Sequence, residues 1–268
     1  MTPPLARPIL NRTLKRRTTR RLVPLAAPRE SLFQQVADRI GVGIVSGSFE
    51  IGALIPNESD LGRDLKVSRT AYREAIKFLS AKGLVEARPK SGTRVAARTL
   101  WNILDPDLLR WSLQTASSDA FVRDLFELRR FIEPNAARLA AERRTDTQLS
   151  VIATALQGLE TREPFSASHI EADVAFHTAI FDASGNAAVS CLKSVVVTTL
   201  HWSMRLLHGK TPDAFAVSMS DHRRVYEAIA SRDGDMAHSV MTTLVLAALA
   251  DTRAELARRH RQSPRGAE

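Results

Sequence analysis

Several features are scarce in this sequence, and each scarcity excludes a class of protein. The single cysteine, Cys191, excludes an internal disulfide and suits a reducing compartment. No apolar run approaches the roughly 20 residues that cross a membrane. The start "MTPPLARPIL" lacks the apolar segment of a secretion signal. We therefore expect a cytoplasmic protein with no membrane partner.

The motifs of common catalytic sites are also missing. There is no glycine-rich loop for phosphates or dinucleotides, and no order of Ser, His and Asp typical of hydrolases. A chain of 268 residues, of which 44% are hydrophobic and 25% charged, is long enough for one or two packed domains. The sequence thus favours a globular protein that is not an enzyme.

Acidic residues are scarce in the first third of the chain only. Residues 1–97 hold 18 Lys and Arg against 8 Asp and Glu, a net charge of +10, whereas residues 98–268 have a net charge of −1. Part of the excess lies in "NRTLKRRTTRR" (11–21), which has no helical or strand period. We expect residues 1–28 to form a disordered basic tail. The charge predicts an anionic polymer as partner, nucleic acid before membrane.

The pattern after the tail predicts two short helices around a tight turn. "RESLFQQVADRIGVGIVSGS" (29–48) repeats apolar residues every four positions, which indicates a helix. Asn57 then marks the start of a second helix, and Ser68 caps a third. Apolar strands on either side of Pro89–Gly92 predict a hairpin, or wing. Residues 29–98 are therefore predicted to form a winged helix-turn-helix domain.

The helix after Ser68 has two different faces. At 100° per residue, Arg69, Thr70 and Arg73 lie on one arc and apolar side chains on the other. The apolar arc is expected to pack on the preceding helices, and the charged arc to enter a DNA major groove. The predicted DNA contacts come from this helix and from the tip of the wing: Ser68, Arg69, Thr70, Arg73, Lys90, Gly92 and Thr93.

From about residue 100 the pattern changes to long helices without strand signals. We predict a linker over 99–110 and an all-α bundle of six or seven helices over 111–262. Within "DAFVRDLFELRRFIEPNAARLAAERR" (119–144), Pro134 is expected to kink the helix or to mark its boundary. The predicted fold class is mainly α, a winged helix-turn-helix joined to this bundle.

The segment "PNESDLGRDLKVSRTAYREAIKFLSAKGLVEARPKSGTRV" (56–95) resembles the winged helix-turn-helix of GntR-family bacterial transcription regulators. "ELRRFIEPNAARLAAER" (127–143), "DVAFHTAIFDASGN" (173–186) and "DHRRVYEAIASRDGD" (221–235) resemble the FCD effector domain of the FadR subfamily. "WNILDPDLLRW" (101–111) is most similar to the galactonate-regulator branch of that subfamily. The resemblance implies a homodimer that binds a DNA operator, with residues 111–262 binding a ligand and dimerising.

A possible metal site lies within the second part. Asp173 and His177 are four residues apart, share a helix face, and offer an oxygen and an imidazole to a divalent ion. The resemblance implies His222 as a third ligand and places the family's fourth ligand, a histidine, at Leu244. Two alternatives stay open. Asp173, His177 and His222 hold Zn²⁺ or a similar ion, or they hydrogen-bond an effector directly.

The resemblance also implies a small carboxylate effector such as a sugar acid. Arg129 and Arg253 are predicted to bind its carboxylate, because a guanidinium matches a planar carboxylate. Ser218, one turn before His222, is predicted to bind a hydroxyl. His169 is expected to be a surface or structural residue. The predicted effector contacts are Arg129, Asp173, His177, Ser218, His222 and Arg253.

The function that these features favour is a ligand-controlled repressor. A dimer would bind a pseudopalindromic operator, and the carboxylate would weaken that binding. One alternative is the same fold sensing another organic acid or an acyl-CoA. A remote alternative is a metal-dependent hydrolase built on Asp173, His177 and His222. The nearest general base, Glu171, would face away from such a site.

Overall fold

The computed structural model describes residues 31–57, 68–88, 91–115, 119–207 and 212–262. The predicted basic tail (1–28), the helix expected after Asn57 and the wing residue Lys90 lie outside these ranges. Among the helices in the described part of the chain, none combines the length and apolar character needed to span a membrane. We call residues 32–100 the N-terminal region and residues 119–262 the helical region.

The N-terminal region contains two described helices and a hairpin. Its elements are α1 (Leu32–Val45), α2 (Arg69–Ala81), β1 (Val85–Arg88) and β2 (Gly92–Val95). The stripe of α1, with Val36, Ile40 and Ile44, is buried against α2 and the hairpin. The hydroxyl oxygen of Ser68 accepts a hydrogen bond from the backbone N–H of Ala71 at 3.2 Å, which confirms the predicted cap.

The wing is an antiparallel pair in which Val85 faces Val95. Gly92 opens β2 with a φ of +79°, a left-handed conformation that glycine adopts without steric cost. The residues before the second predicted helix cover the other edge of β2. There the N–H of Ile55 donates to the carbonyl of Thr93 at 2.8 Å. The hairpin is thereby held on both sides.

Gly83 connects α2 to the wing and has no room for a side chain. Its φ is +75°. A Cβ at this position would lie 1.9 Å from the carbonyl oxygen of Leu100, which is backbone and has no rotamer through which to move away. Glycine is therefore required here for two independent reasons.

The helical region is an all-α bundle of seven described helices, which confirms the predicted fold class. They are α4 (Asp119–Arg143), α5 (Asp146–Thr161), α6 (Ala167–Ala183), α7 (Ala187–Cys191), α8 (Lys193–Leu206), α9 (Pro212–Ala230) and α10 (Gly234–Gln262). The long helices α4 and α10 pack together, and α5 packs on α6. Alanines of α4, such as Ala137 and Ala140, are fully buried and allow this close approach.

Pro134 was predicted to kink its helix or to mark its boundary. It does not mark a boundary, because α4 continues to Arg143. Only one intrahelical N–H is lost at a proline, and here the surrounding bundle holds the helix together. Leu192 separates the short helix α7 from α8.

A short helix, α3 (Pro106–Thr115), joins the two regions. It begins inside the stretch predicted as a linker and packs on both α1 and α8. Trp111 is buried in the core of the N-terminal region, where a Cβ on Gly41 would lie 2.5 Å from its ring. Leu109 and Leu113 pack instead on Leu125 of α4 and on Val195 of α8, in a core that the two regions share.

Polar contacts fix the same joint. The indole N–H of Trp111 donates to Oδ1 of Asp38 on α1 at 2.8 Å, and Nη2 of Arg110 lies 2.8 Å from that oxygen. Below them, Nζ of Lys82 lies 2.7 Å from Oδ1 of Asp105. Hydrogen bonds to a charged acceptor are stronger than neutral ones, so α3 is held firmly to α1.

Candidate functional site

The described surface of α2 has the two faces that the sequence predicts. Arg69, Thr70 and Arg73 are exposed on one side. Ala75, Ile76 and Leu79 are buried on the other. The exposed side carries cations at the start of the helix, where backbone N–H groups also favour phosphate. This arrangement suits an extended anion that also carries hydrogen-bonding groups for these side chains.

The described part of the wing tip lies on the surface. Gly92 is exposed and Thr93 is half-buried. The carbonyl of Thr93 accepts the hydrogen bond from Ile55, which fixes the backbone of the wing at this point. The described part of the wing is therefore a rigid feature of the surface.

The helical region encloses a cavity of about 360 Å³. Five of the six predicted effector contacts line it: Arg129, Asp173, His177, Ser218 and His222. Helix α4 contributes Arg129, α6 contributes the Asp and one His, and α9 contributes the rest. The structure thus brings together residues that lie up to 93 positions apart in the sequence.

Asp173, His177 and His222 form a compact donor cluster. One ligand atom from each lies within 4.8 Å of the others, and all three side chains are buried. Oδ1 of Asp173 lies 3.0 Å from Nε2 of His222 and 3.8 Å from Nε2 of His177. One oxygen and two imidazole nitrogens are a donor set that suits Zn²⁺ or a similar divalent ion.

A second layer of contacts orients the two imidazoles. Nδ1 of His222 donates to the carbonyl of Ser218 at 2.7 Å. Nδ1 of His177 lies 2.6 Å from Oε2 of Glu133, a close contact without good hydrogen-bond alignment. With their Nδ1 atoms engaged in this way, both rings turn Nε2 toward Asp173. Outer contacts of this kind fix the tautomer that a metal-binding histidine needs.

The charges of the cluster shift its pKa values. Burial alone would raise the pKa of Asp173, but the hydrogen bond from His222 and the charge of His177 hold it at about 2. For Glu133, burial is likewise outweighed by Arg129 and His177, and its pKa is about 2. Burial alone would lower the pKa of His222, yet its contact with Asp173 raises it above 6.5. Both carboxylates stay ionised at neutral pH.

Arg129 is a buried cation with donor capacity left over. Its Nε pairs with Oε1 of Glu133, and its guanidinium lies 4.8 Å from the ring centre of Phe126. Nη1 is buried and has no hydrogen-bond partner among the described residues. A buried donor without a partner is costly, so this atom is suited to an anionic ligand in the cavity.

The structure does not bring the sixth predicted contact, Arg253, to the cavity. Arg253 lies on the surface of α10, where Nε and Nη2 pair with the two carboxylate oxygens of Asp119 at 2.8 and 3.0 Å. Its side chain is half exposed. Arg253 lies one helical turn after Leu249 on α10, and its ion pair with Asp119 turns the side chain toward the start of α4.

Two further residues of the cavity wall bear on the sequence predictions. His169 was expected to be a surface or structural residue, and it is buried in the wall. The spacing of four that joins Asp173 and His177 also joins His169 and Asp173, and that signal was available in the sequence. Leu244, the position of the family's fourth ligand, is buried in the same wall.

Comparison with known proteins decides the family. Residues 32–95 match the bacterial regulatory proteins of the gntR family, and residues 124–247 match the FCD domain. The galactonate operon transcriptional repressor of Escherichia coli is 31% identical over 212 residues, which are 77% of this chain and 90% of that protein. The chain belongs to the GntR family. This GntR regulator is therefore a DNA-binding transcriptional regulator and not an enzyme, which answers the hydrolase alternative.

Other relatives agree with this membership. The HTH-type regulator YieP of Escherichia coli is 31% identical over 221 residues, 82% of this chain and 94% of the relative. LutR of Bacillus subtilis is 33% identical over 204 residues, 74% and 90% of the two chains. The solved structure of Lar, which controls the agr system of Listeria monocytogenes, has a TM-score of 0.59 and 18% identity over 85% of this chain and 99% of Lar. That structure supports the fold alone.

Proposed function

We propose that this GntR-family regulator represses transcription as a cytoplasmic homodimer bound to a pseudopalindromic operator. A small carboxylate in the cavity of the helical region weakens that binding. The observation that carries the proposal is the buried Nη1 of Arg129, which has no hydrogen-bond partner in the described part of the chain. Arg129 lines the cavity together with Asp173, His177 and His222. A buried cation beside a cluster of metal-type donors suits a ligand that brings a negative charge.

On the DNA side, the proposal assigns base contacts to the exposed arc of α2. Arg69, Thr70 and Arg73 lie in its first turns, which are the part of a recognition helix that reaches base edges. Ser68, Gly92 and Thr93 are assigned to phosphates, together with Lys90 beyond the described residues. Phosphate contacts supply much of the affinity, so operator binding falls steeply as the salt concentration rises.

Of the two alternatives for the cluster, we favour a divalent ion held by Asp173, His177 and His222. The carbonyl of Ser218 and the carboxylate of Glu133 orient the two rings as such an ion requires. An ion bound there supplies positive charge and open coordination positions. Arg129 would pair with the effector carboxylate, and Ser218, which lines the same cavity, would contact the rest of the effector.

The names of relatives support a carboxylate as effector. One relative is the galactonate operon repressor, and another is a putative L-lactate dehydrogenase operon regulatory protein of Escherichia coli, 30% identical over 226 residues. Galactonate and lactate are both carboxylates. A sugar acid, which the sequence resemblance implies, is one member of this class.

Fluorescence anisotropy tests the proposal. Duplexes that tile the promoter of the regulator's own gene are compared with random duplexes of equal length, at rising salt and with galactonate or lactate added. We expect a preference for one promoter duplex and a loss of affinity when a carboxylate is added. Binding without preference for any promoter duplex contradicts the DNA assignment.

A matched pair of variants separates the two sites. Arg129→Gln removes the buried cation, and Arg130→Gln changes the exposed residue beside it. The first variant should keep operator binding and lose the response to carboxylate, whereas the second should keep both. The carboxylate assignment fails if Arg129→Gln responds as the unmodified protein does. Sedimentation measurements check the dimer.

A further inference from the structure

We propose that the effector carboxylate carries an apolar body rather than a chain of hydroxyl groups. This inference rests on the proposed function, because it concerns the rest of a molecule whose carboxylate is held beside Arg129. The observation behind it is how polar and apolar side chains are divided among the helices around the cavity.

Apart from Asp251 on α10, the charged groups of the cavity come from one set of helices. Arg129 lies on α4, Asp173 and His177 on α6, and His222 on α9. The walls contributed by α8 and α10 are mostly aliphatic. Their aliphatic residues are Leu200 and Met204 on α8, Leu207 just after it, and Leu244, Ala247, Ala248 and Ala250 on α10. A ligand held at its charged end by α4, α6 and α9 lies with its body against these walls.

The few polar side chains on the aliphatic side are already engaged. The hydroxyl of Ser203 donates to the carbonyl of Leu200, 3.3 Å away in its own helix. Asp251 lines the cavity and takes part in another interaction of the chain. On the wall formed by α8 and α10, the aliphatic side chains outnumber the polar ones.

This wall discriminates between ligands of equal length. Each ligand hydroxyl that leaves water and meets an aliphatic wall without a partner weakens binding. Each methylene that meets the same wall strengthens it, by about fourfold when fully buried. A carboxylate with methylene or methyl groups therefore gains affinity where a sugar acid loses it. The cavity volume of about 360 Å³ limits that body to a small one.

Hexanoate and galactonate test the inference, because both have six carbons and one terminal carboxylate. Isothermal titration calorimetry on the full-length protein, with Zn²⁺ and again with EDTA, measures both ligands. We expect hexanoate to bind at least about tenfold more tightly than galactonate, and butanoate to bind about tenfold more weakly than hexanoate. Hexanol, which lacks the carboxylate, should bind far more weakly than hexanoate.

Wall variants give an independent readout. Leu244→Asn adds an amide to the wall and should reduce the preference for hexanoate by about tenfold or more. Met204→Gln makes a similar change at a half-buried position, in case the buried leucine is needed for folding. Leu246→Asn lies on the same helix but outside the cavity lining and should leave the preference unchanged.

The outcomes separate this inference from the proposed function. Tighter binding of hexanoate, with a loss of preference in Leu244→Asn or Met204→Gln, supports an apolar body. Galactonate binding as tightly as hexanoate or more tightly overturns the apolar body and leaves a carboxylate effector in place. If none of the carboxylates binds, with or without Zn²⁺, the carboxylate effector itself fails and this inference fails with it.

Discussion

The two regions of this regulator differ in whether the charged side chains of their candidate sites are exposed or buried. The N-terminal region keeps Arg69 and Arg73 exposed on α2. The helical region buries a cluster of charges at its cavity. Arg129, Glu133, Asp173, His177 and His222 are each at most 4% exposed. Exposed cations keep their hydration until a polyanion displaces it, which suits a long, repetitive partner such as DNA. Buried charges have already lost their hydration, which suits one small ligand of matching shape and charge.

The difference in exposure also determines which charged side chains contribute to the stability of the fold. An exposed ion pair such as Lys77 with Glu74, 2.9 Å apart, contributes little, because water screens both charges. In the helical region, each buried charge depends on its partners, and removal of one leaves another uncompensated. Substitution of the exposed cations of α2 should therefore alter DNA binding, whereas substitution of the buried charges in the helical region should alter folding.

The largest expected effect is on the buried side. Glu133→Gln removes the carboxylate that contacts both Arg129 and His177. The free energy of unfolding should fall by about 3–5 kcal/mol, because a buried guanidinium loses its counter-ion. Urea denaturation followed by circular dichroism measures the change. Glu127→Gln, on the exposed side of the same helix, should change it by less than about 0.5 kcal/mol. Equal effects of the two changes would contradict the distinction between buried and exposed charges.

On the exposed side, Arg73→Ala should affect binding and not folding. Loss of a base contact costs about 1–3 kcal/mol of operator affinity, and the preference for the operator over other duplexes should relax. The midpoint of unfolding should stay within about 1 °C, because Arg73 is exposed. Anisotropy titrations and thermal unfolding measure the two effects. Unaltered affinity and base preference would show that α2 does not read the operator.

The pH dependence of metal binding gives a sharper test of the buried cluster. His222 has a raised pKa, and a proton on its Nε2 competes with an ion for that atom. Zn²⁺ affinity should therefore fall by about tenfold per pH unit, for each proton displaced, as pH drops below that pKa. Asp173 stays ionised in this range, because its pKa is about 2.

Without metal, the pH dependence of folding stability has the opposite sign to that of Zn²⁺ affinity. The contact between protonated His222 and Asp173 stabilises the fold below pH 6.5, and this contribution is lost as pH rises through the raised pKa. Competition with a coloured chelator at pH 6, 7 and 8 measures the affinity, and thermal unfolding in EDTA measures the stability. A flat profile in both would remove His222 from the site. His222→Gln is the reference variant.

The smallest expected effect concerns the helix cap in the N-terminal region. Ser68→Ala removes the acceptor of the Ala71 N–H and should lower the free energy of unfolding by about 1 kcal/mol. Ser80→Ala, exposed near the other end of α2, should have no measurable effect. Urea denaturation compares them. If Ser68→Ala is as stable as the unmodified protein, water replaces the cap and the start of α2 does not depend on it.

The sequence allowed the fold to be predicted where local signals and long-range packing agree. The stripe of α1, the cap at Ser68 and the turn at Gly92 are local features, and the structure has all three. Asp173 and His177 share a face because of their spacing, but spacing alone says nothing of His222, which lies on another helix. That residue was predicted from the family resemblance.

Other features depended on contacts between distant segments and were missed. His169 was expected to be a surface or structural residue, and the packing of α6 against α4, α5 and α8 decides that it is buried. Arg253 was expected in the cavity, but its partner, Asp119, is 134 positions away. The packing of α3 on both regions was also not predicted. Its ten residues are rich in leucine and tryptophan, and such a stretch fits the core of the N-terminal region and that of the helical region equally well.

The position of Trp111 has a practical consequence for dissecting the protein. A fragment that stops at Arg98 would uncover Gly41 and leave Asp38 without its indole and guanidinium partners. A fragment that continues to Thr115 would retain them, at the expense of exposing Leu109 and Leu113 to water. Either cut therefore disrupts a core, because α3 packs on both the N-terminal region and the helical region and can stay with only one of them. Any movement that the effector causes in the helical region has to reach the N-terminal region through α3 or around it.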